Sequence, residues 1–260
     1  MSTSDFVWYE LMTSDVDAAA AFYTAVIGWN AVDSGMPDMQ YTLVRVGERQ
    51  VGGLMAMPPG AAAMDVKPGW VGYIGVDDVA MATDSAAGAG ATVYLAPQAI
   101  PGVGHFSVIA DPAGARICLF TGDGDPAPEL PPMSPGSIGW HELHSADPDA
   151  AWTFYEGQFG WTKGDALDMG PMGTYQIFST TGGTGMEMMS GGMMKASPDS
   201  PASGWLYYFV VDDIEAAHGR VTDNGGTVIL PPTEVPGGAW IINALDPQGA
   251  MFALVGMRTA

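Results

Sequence analysis

Basic residues and cysteines are both scarce in this 260-residue sequence. It holds 8 Lys and Arg against 29 Asp and Glu, a formal net charge of −21. That charge repels phosphate backbones and anionic lipid headgroups, and no local basic cluster reverses it, so we expect neither nucleic-acid nor membrane partners. Solubility in a salty cytoplasm explains the acidity, and a dedicated cationic partner is the alternative. The single cysteine, Cys118, excludes an internal disulfide.

Long apolar runs are also lacking. Gly, Pro and Asp interrupt the chain before any run reaches the roughly 18 apolar residues of a spanning helix. The opening MSTSDFVWYE has neither the basic start nor the apolar stretch of a secretory signal, which predicts a cytoplasmic location. With 47% apolar and 14% charged residues, the composition is that of a globular protein long enough for two domains.

What the sequence does contain is an internal repeat. Residues 8–29 read WYELMTSDVDAAAAFYTAVIGW and residues 140–161 read WHELHSADPDAAWTFYEGQFGW, with eleven of 22 positions identical. GWVGYIGVDDV at 69–79 pairs with GWLYYFVVDDI at 204–214, and DPAGA at 111–115 with DPQGA at 246–250. The halves are homologous. Pro, Gly and Asp fill the stretch between them, so we predict domains at 1–121 and 137–260 joined by a linker at 122–136.

Each half shows the order strand, helix and three strands, twice. Asp15 is a good N-cap for a helix that ends at Gly28, and in the second half Asp147 is the cap with Pro148 at the first helical position. The Asp-Pro-x-Gly segments suit tight hairpin turns between the last two strands of each half. The sequence therefore predicts an α+β fold of four βαβββ modules.

These markers carry a family resemblance. Asp15, Asp17, the Phe22-Tyr23 pair and Gly28-Trp29 resemble the opening module of the vicinal oxygen chelate superfamily, which includes glyoxalases, bleomycin-resistance proteins and extradiol dioxygenases. The Val-Asp-Asp and Asp-Pro-x-Gly segments resemble its second module, and the tandem arrangement resembles the actinobacterial hydroxylase-like or glyoxalase-like antigen type. The resemblance implies paired modules in two domains, each a curved mixed sheet around a cavity.

The resemblance also implies where a divalent metal would be held. Enzymes of the superfamily bind it through His, Gln or Glu on four strands. The corresponding positions are Trp8, a residue near Leu54, Val71 and Cys118 in the first half, and Trp140, a residue near Glu187, Leu206 and Ala253 in the second. Only Glu187 is a suitable ligand, so we expect no metal and no other cofactor.

Strand alternation predicts which side chains line the two pockets. If Trp140 faces the cavity, Glu142 and His144 face it too, while His141 and Leu143 face the helix. The same argument selects a set of ligand-binding candidates with aromatic and polar character. These are Trp8, Glu10, Met12, Tyr73 and Arg116 in the first half, and Trp140 and Tyr208 in the second.

Glu142, His144 and Glu187 form the one candidate catalytic set, because a carboxylate in an aromatic pocket can exchange protons with a nearby imidazole. The structural alternatives are that Glu10 and Glu142 anchor backbone groups at the mouth of the sheet, and that His144 is a surface or satisfied histidine. A carboxylate and an imidazole within hydrogen-bond reach would favour the catalytic interpretation.

Several functions fit these residues. The leading hypothesis is a metal-independent binder of a small, apolar or partly aromatic molecule, with the second-domain pocket as the preferred site. The alternatives are a glyoxalase-like lyase or isomerase that uses the candidate catalytic set, an interaction protein without an active pocket, and a metal-dependent glyoxalase or dioxygenase. We expect a monomer, itself an internal pseudo-dimer, or a weak homodimer.

Overall fold

The chain forms two repeated sets of strands and helices. The computed structural model describes residues 4–36, 39–58, 67–124, 130–183, 185–197 and 203–259. The elements of the first half are β1 (Phe6–Thr13), α1 (Val16–Ile27), β2 (Asn30–Asp33), β3 (Tyr41–Val46), β4 (Arg49–Ala56), β5 (Gly69–Gly75), α2 (Val79–Gly88), β6 (Thr92–Ile100), β7 (Gly104–Ala110) and β8 (Arg116–Gly122). Those of the second half are β9 (Ile138–Ser145), α3 (Pro148–Phe159), β10 (Thr162–Asp168), β11 (Thr174–Ser179), β12 (Gly191–Lys195), β13 (Gly204–Val211), α4 (Ile214–Asp223), β14 (Thr227–Glu234), β15 (Trp240–Leu245) and β16 (Met251–Gly256).

The strands form two eight-stranded mixed sheets. The order is β2-β3-β4-β1-β5-β8-β7-β6 in one and β10-β11-β12-β9-β13-β16-β15-β14 in the other. Strands β1 and β4 are parallel, as are β5 and β8, and the hairpins outside them are antiparallel. Neither sheet closes into a barrel. The predicted α+β fold with four repeated modules is confirmed.

Short-range chemistry sets the helix ends. The Asp15 side chain accepts a hydrogen bond from Ala18 N, and Asp147 accepts one from Ala150 N, so both predicted N-caps are confirmed. Gly28 and Gly160 end α1 and α3 in the left-handed conformation, at φ of 90° and 69°, which glycine adopts without steric cost. None of the helices in the described ranges is long and apolar enough to cross a membrane.

Contacts divide the chain into two compact units that each draw on both halves of the sequence. The first comprises residues 1–8, 71–128 and 141–205, and the second comprises residues 9–70, 129–140 and 206–260. An aromatic cluster fills each one. In the first unit Trp161 stacks on Tyr155 and Phe178, with ring centroids 4.9 and 4.8 Å apart. The domain boundaries at 121 and 137 stay a prediction.

Corresponding aromatic residues pack in the core of the second unit. Trp29, the repeat counterpart of Trp161, packs edge-on against Phe209 at 4.9 Å. The two indoles make matching hydrogen bonds, since Trp29 Nε1 donates to Gly136 O and Trp161 Nε1 donates to Ser4 O, both at 2.7 Å. The repeat in the sequence is thus a repeat of buried contacts.

Candidate functional site

Strand β9 carries the candidate catalytic residues Glu142 and His144 of the second half. Its side chains alternate in burial as the pleat requires: His141 and Leu143 are buried, and Trp140 and His144 are partly exposed. Glu142 is the exception because its carboxylate is also largely covered, with 12% of the side chain exposed against 32% for His144. A buried carboxylate of this kind needs hydrogen-bond donors around it.

Side chains supply those donors to Glu142. His144 Nε2 donates to Glu142 Oε1 at 2.7 Å, and the Tyr175 hydroxyl donates to Glu142 Oε2 at 3.0 Å. Each carboxylate oxygen is thereby tied to a different side chain, one on the same strand and one on β11. The imidazole and the carboxylate are within hydrogen-bond reach, which is the geometry that favours proton transfer.

A glycine makes room for the tyrosine in this arrangement. Gly192 on β12 pairs with Glu142, and a Cβ atom at Gly192 would collide with the ring and hydroxyl of Tyr175. The ring therefore lies over the bare backbone of β12 and reaches the carboxylate. Any larger residue at position 192 would displace the Tyr175 ring, because interiors leave no spare space.

The first half repeats this geometry without the histidine. Glu10 pairs with Gly53, where an added Cβ would collide with the Tyr41 hydroxyl, and Met12 stands at the position of His144. Sequence reasoning missed Tyr41 and Tyr175. The signal was present in the pairs Gly52-Gly53 and Gly191-Gly192, which open GGLMAM and GGMMKA and align β4 with β12.

That alignment corrects the placement of Glu187. Leu54 pairs with Leu11 and Met193 pairs with Leu143, so the second-half counterpart of Leu54 is Met193. The prediction that Glu187 occupies this strand position is wrong. Glu187 lies in an exposed 3₁₀ turn, Met186–Met188, ahead of β12. The error came from counting residues through a loop whose length differs between the halves.

The predicted aromatic and apolar lining packs into buried clusters. Tyr73 is buried with Val71 and Cys118, and Trp8 packs against them. Tyr208 is buried with Leu206 and Ala253 among others, and Trp140 packs against that group. Arg116 is exposed, with its guanidinium carbon 4.7 Å from the centre of the Tyr94 ring. Arg116 is the first residue of β8 and is not part of the buried cluster around Cys118.

His141 is the other histidine on β9, and it is buried. Its ring stacks on Phe6 with centroids 4.1 Å apart, and Nδ1 donates to Ser190 O at 2.7 Å. Burial lowers the pKa of His141 from 6.5 to about 4, because the charged ring would lose its hydration. His141 is thus neutral at physiological pH and belongs to the core.

Glu142 and His144 can therefore exchange protons with a bound molecule in a defined way. With Nε2 directed to the carboxylate, Nδ1 is the ring nitrogen that can accept or give a proton. The carboxylate stabilises the imidazolium formed by proton uptake and fixes the ring orientation. Since a third of the His144 side chain is exposed, a small molecule can reach it.

Two mixed sheets with the internal order strand, helix and three strands define the vicinal oxygen chelate class. Residues 137–254 match the glyoxalase/bleomycin resistance protein/dioxygenase superfamily, and residues 5–47 match the bleomycin resistance protein-like N-terminal family. CFP32 of Mycobacterium tuberculosis, which carries the name glyoxylase, is 31% identical over 95% of this chain and 93% of its own. The chain belongs to the glyoxalase/bleomycin resistance protein/dioxygenase superfamily.

Other relatives and solved structures agree with this family. The anthracycline biosynthesis protein DnrV of Streptomyces peucetius is 29% identical over 96% of this chain and 92% of its own. The Mn(II)-bound glyoxalase of Novosphingobium aromaticivorans has a TM-score of 0.67 at 18% identity, over 99% of this chain and 83% of that one. The 2,3-dioxygenase LapB of Pseudomonas sp. KL28 has the same TM-score at 13% identity, over 100% and 94%. At such identities the structural likeness shows the fold alone.

The residues of this chain do not fit the metal that such enzymes hold. Over the described ranges, no group of three or more His, Cys, Asp or Glu side chains is placed to share an ion. The positions that the family resemblance implies for metal ligands hold Trp8, Leu54, Val71 and Cys118 in the first half, and Trp140, Met193, Leu206 and Ala253 in the second. Hard divalent ions prefer oxygen and imidazole donors, which these side chains lack.

Proposed function

We propose that the second half carries a metal-independent small-molecule site in which His144, oriented by Glu142, moves a proton on the bound substrate. The observation that carries this proposal is the 2.7 Å hydrogen bond between His144 Nε2 and Glu142 Oε1, with Tyr175 on the second carboxylate oxygen. The reaction class is that of a lyase or isomerase. Glu187 has no part in it, since it lies in an exposed turn.

The substrate class follows from the chemistry of a histidine base. Imidazole removes protons from carbon when a neighbouring carbonyl stabilises the carbanion, so we propose a small hydroxy- or oxo-carbonyl compound. The glyoxylase name of one relative supports this class, and the anthracycline biosynthesis name of another supports a substrate with an aromatic part.

The test compares matched variants of the two halves. A panel of α-hydroxy and α-oxo carbonyl compounds is incubated with the protein in D₂O, and proton exchange or conversion is followed by NMR. We expect His144→Ala to lower the rate by about 10² to 10⁴, the usual contribution of a positioned acid or base. Glu142→Gln should lower it too, while Met12→Ala and Glu10→Gln, their first-half counterparts, leave it unchanged.

Three outcomes would contradict the proposal. Loss of activity in the first-half variants, with activity retained in His144→Ala, would place the site in the first half. Loss of activity with EDTA and recovery with Mn²⁺ or Fe²⁺ would contradict metal independence. Saturable binding of a panel compound with no exchange or turnover would instead support the second candidate, a binding protein.

A further inference from the structure

A groove of about 340 Å³ lies beside helix α2 in the first compact unit, and its lining does not include Glu142 or His144. Its walls combine apolar side chains with carboxylates and the last turn of α3. They include Val76, Asp77, Asp78, Met81, Ser85 and Phe159. Because the sequence is a repeat, the second unit shows what occupies the matching place there.

An arginine fills the corresponding position of the second unit. Asp77 and Ser85 follow Val76 at the same spacings at which Asp212 and Arg220 follow Val211. Ser85 therefore corresponds to Arg220. The Arg220 side chain donates from Nε to Val26 O at 2.9 Å and from Nη2 to Asp212 Oδ1 at 3.0 Å. A carboxylate and a carbonyl of the last turn of α1 together bind one guanidinium group.

The first unit keeps the acceptors but has Ser85 at the position of Arg220. Gln158 corresponds to Val26, two residues before the glycine that ends each helix, and Asp77 corresponds to Asp212. Ser85 is too short to span the groove, and its hydroxyl donates to Gln158 Oε1 at 2.8 Å. The carbonyl end of α3 carries about half a negative charge, which adds to that of Asp77.

We infer that this groove binds a small organic cation, a guanidinium or ammonium group on a short apolar chain. The cationic head takes the place that Arg220 fills in the other unit, between Asp77 and the carbonyl end of α3. The chain packs against Val76, Met81 and Phe159, which line the same groove. The formal charge of −21 attracts such a ligand at low ionic strength.

The test titrates the full chain with butylguanidinium and, as the uncharged control of similar shape, with butylurea, following amide chemical shifts by NMR. We expect saturable binding of butylguanidinium alone, weakened by salt because the pair is exposed. Ser85→Arg should abolish it by filling the groove from within, and Asp77→Asn should weaken it about threefold, as for a surface ion pair. Asp212→Asn, the matched change in the other unit, should leave it unchanged.

The inference is overturned if butylurea binds as well as butylguanidinium, if neither binds saturably, or if Ser85→Arg leaves the affinity intact. A Ser85→Leu variant fills the groove without adding charge, and it replaces Ser85→Arg should the latter fail to melt cooperatively. Equal weakening by Asp77→Asn and Asp212→Asn would also overturn it, because the effect would then reflect net charge alone.

Discussion

At the residue scale, two histidines three positions apart on β9 have opposite roles. His144 is partly exposed and bonded to a carboxylate, whereas His141 is buried against Phe6 and bonded to a backbone carbonyl. The pleat alone separates them, since neighbours in a strand face opposite sides of the sheet. His144 is therefore placed to contribute to reactivity, whereas protonation of the buried His141 affects stability.

We expect His141 to make the protein less stable as the pH falls from about 6.5 to 4. Unfolded His141 binds a proton below about 6.5, but folded His141 does so only below about 4. In this window the unfolded state binds more protons, so the free energy of unfolding decreases on acidification, by roughly 3 kcal/mol at most, and is unaffected above it.

Urea denaturation at several pH values measures this effect. His141→Tyr, which copies Tyr9 from the first half, should remove the part of the pH dependence of the free energy of unfolding that is due to His141. His105→Gln changes an exposed histidine and should retain the pH dependence of the parent. Burial raises the pKa of Asp5, Asp111 and Asp246. Their contribution to the free energy of unfolding is therefore lost as the pH rises through their folded pKa. Only the difference between variant and parent therefore reports on His141, and equal slopes would refute its assignment.

At the scale of elements, glycines act through conformation at some positions and through space at others. Gly160 ends α3 at φ 69° with no atom within 4 Å of an added Cβ, and Gly157 lies inside the same helix with equally open surroundings. The two differ in backbone conformation alone. The same substitution should thus have opposite effects at the two sites.

We expect Gly160→Ala to lower the free energy of unfolding by about 1 kcal/mol, because a Cβ strains the left-handed conformation. Gly157→Ala should raise it by about 0.5 to 1 kcal/mol, because alanine restricts the unfolded chain and favours helix. Thermal and urea unfolding check both values. A stabilising effect of Gly160→Ala would show that α3 does not end as described.

At the scale of the whole molecule, hydrogen bonds between distant segments hold each compact unit together. In the second unit, Tyr23 on α1 is fully buried, and its hydroxyl donates to Asp246 Oδ2 at 3.1 Å and accepts from Trp70 Nε1 at 2.9 Å. Tyr155 accepts in the same way from Trp205 in the first unit, at 3.0 Å. The phenylalanine-tyrosine marker thus contributes to packing.

Tyr23→Phe should lower the free energy of unfolding by about 1 to 3 kcal/mol, since it leaves the Trp70 N–H and one oxygen of the Asp246 carboxylate without the hydroxyl. Tyr94→Phe, which changes an exposed tyrosine, is the matched control and should change the free energy of unfolding little. Urea unfolding at neutral pH distinguishes them. Equal small losses in both variants would show that the buried hydroxyl is dispensable.

The sequence by itself determined the repeat, the α+β class, the helix caps and the parity of β9, because each depends on residues close in the chain. Asp15, Gly28 and the alternation from Trp140 to His144 need only local geometry to be interpreted. The same parity placed Glu142 and His144 on one face, and their hydrogen bond follows from that spacing.

Tertiary structure decided which strands are neighbours and what fills the space between them. Tyr175 reaches Glu142 only because Gly192 lies opposite the glutamate, a pairing set by the register of β9 and β12. Glu187 lies outside the site because a loop whose length differs between the halves precedes β12. Register and side-chain reach depend on contacts between residues far apart in the chain, and local sequence patterns do not determine them.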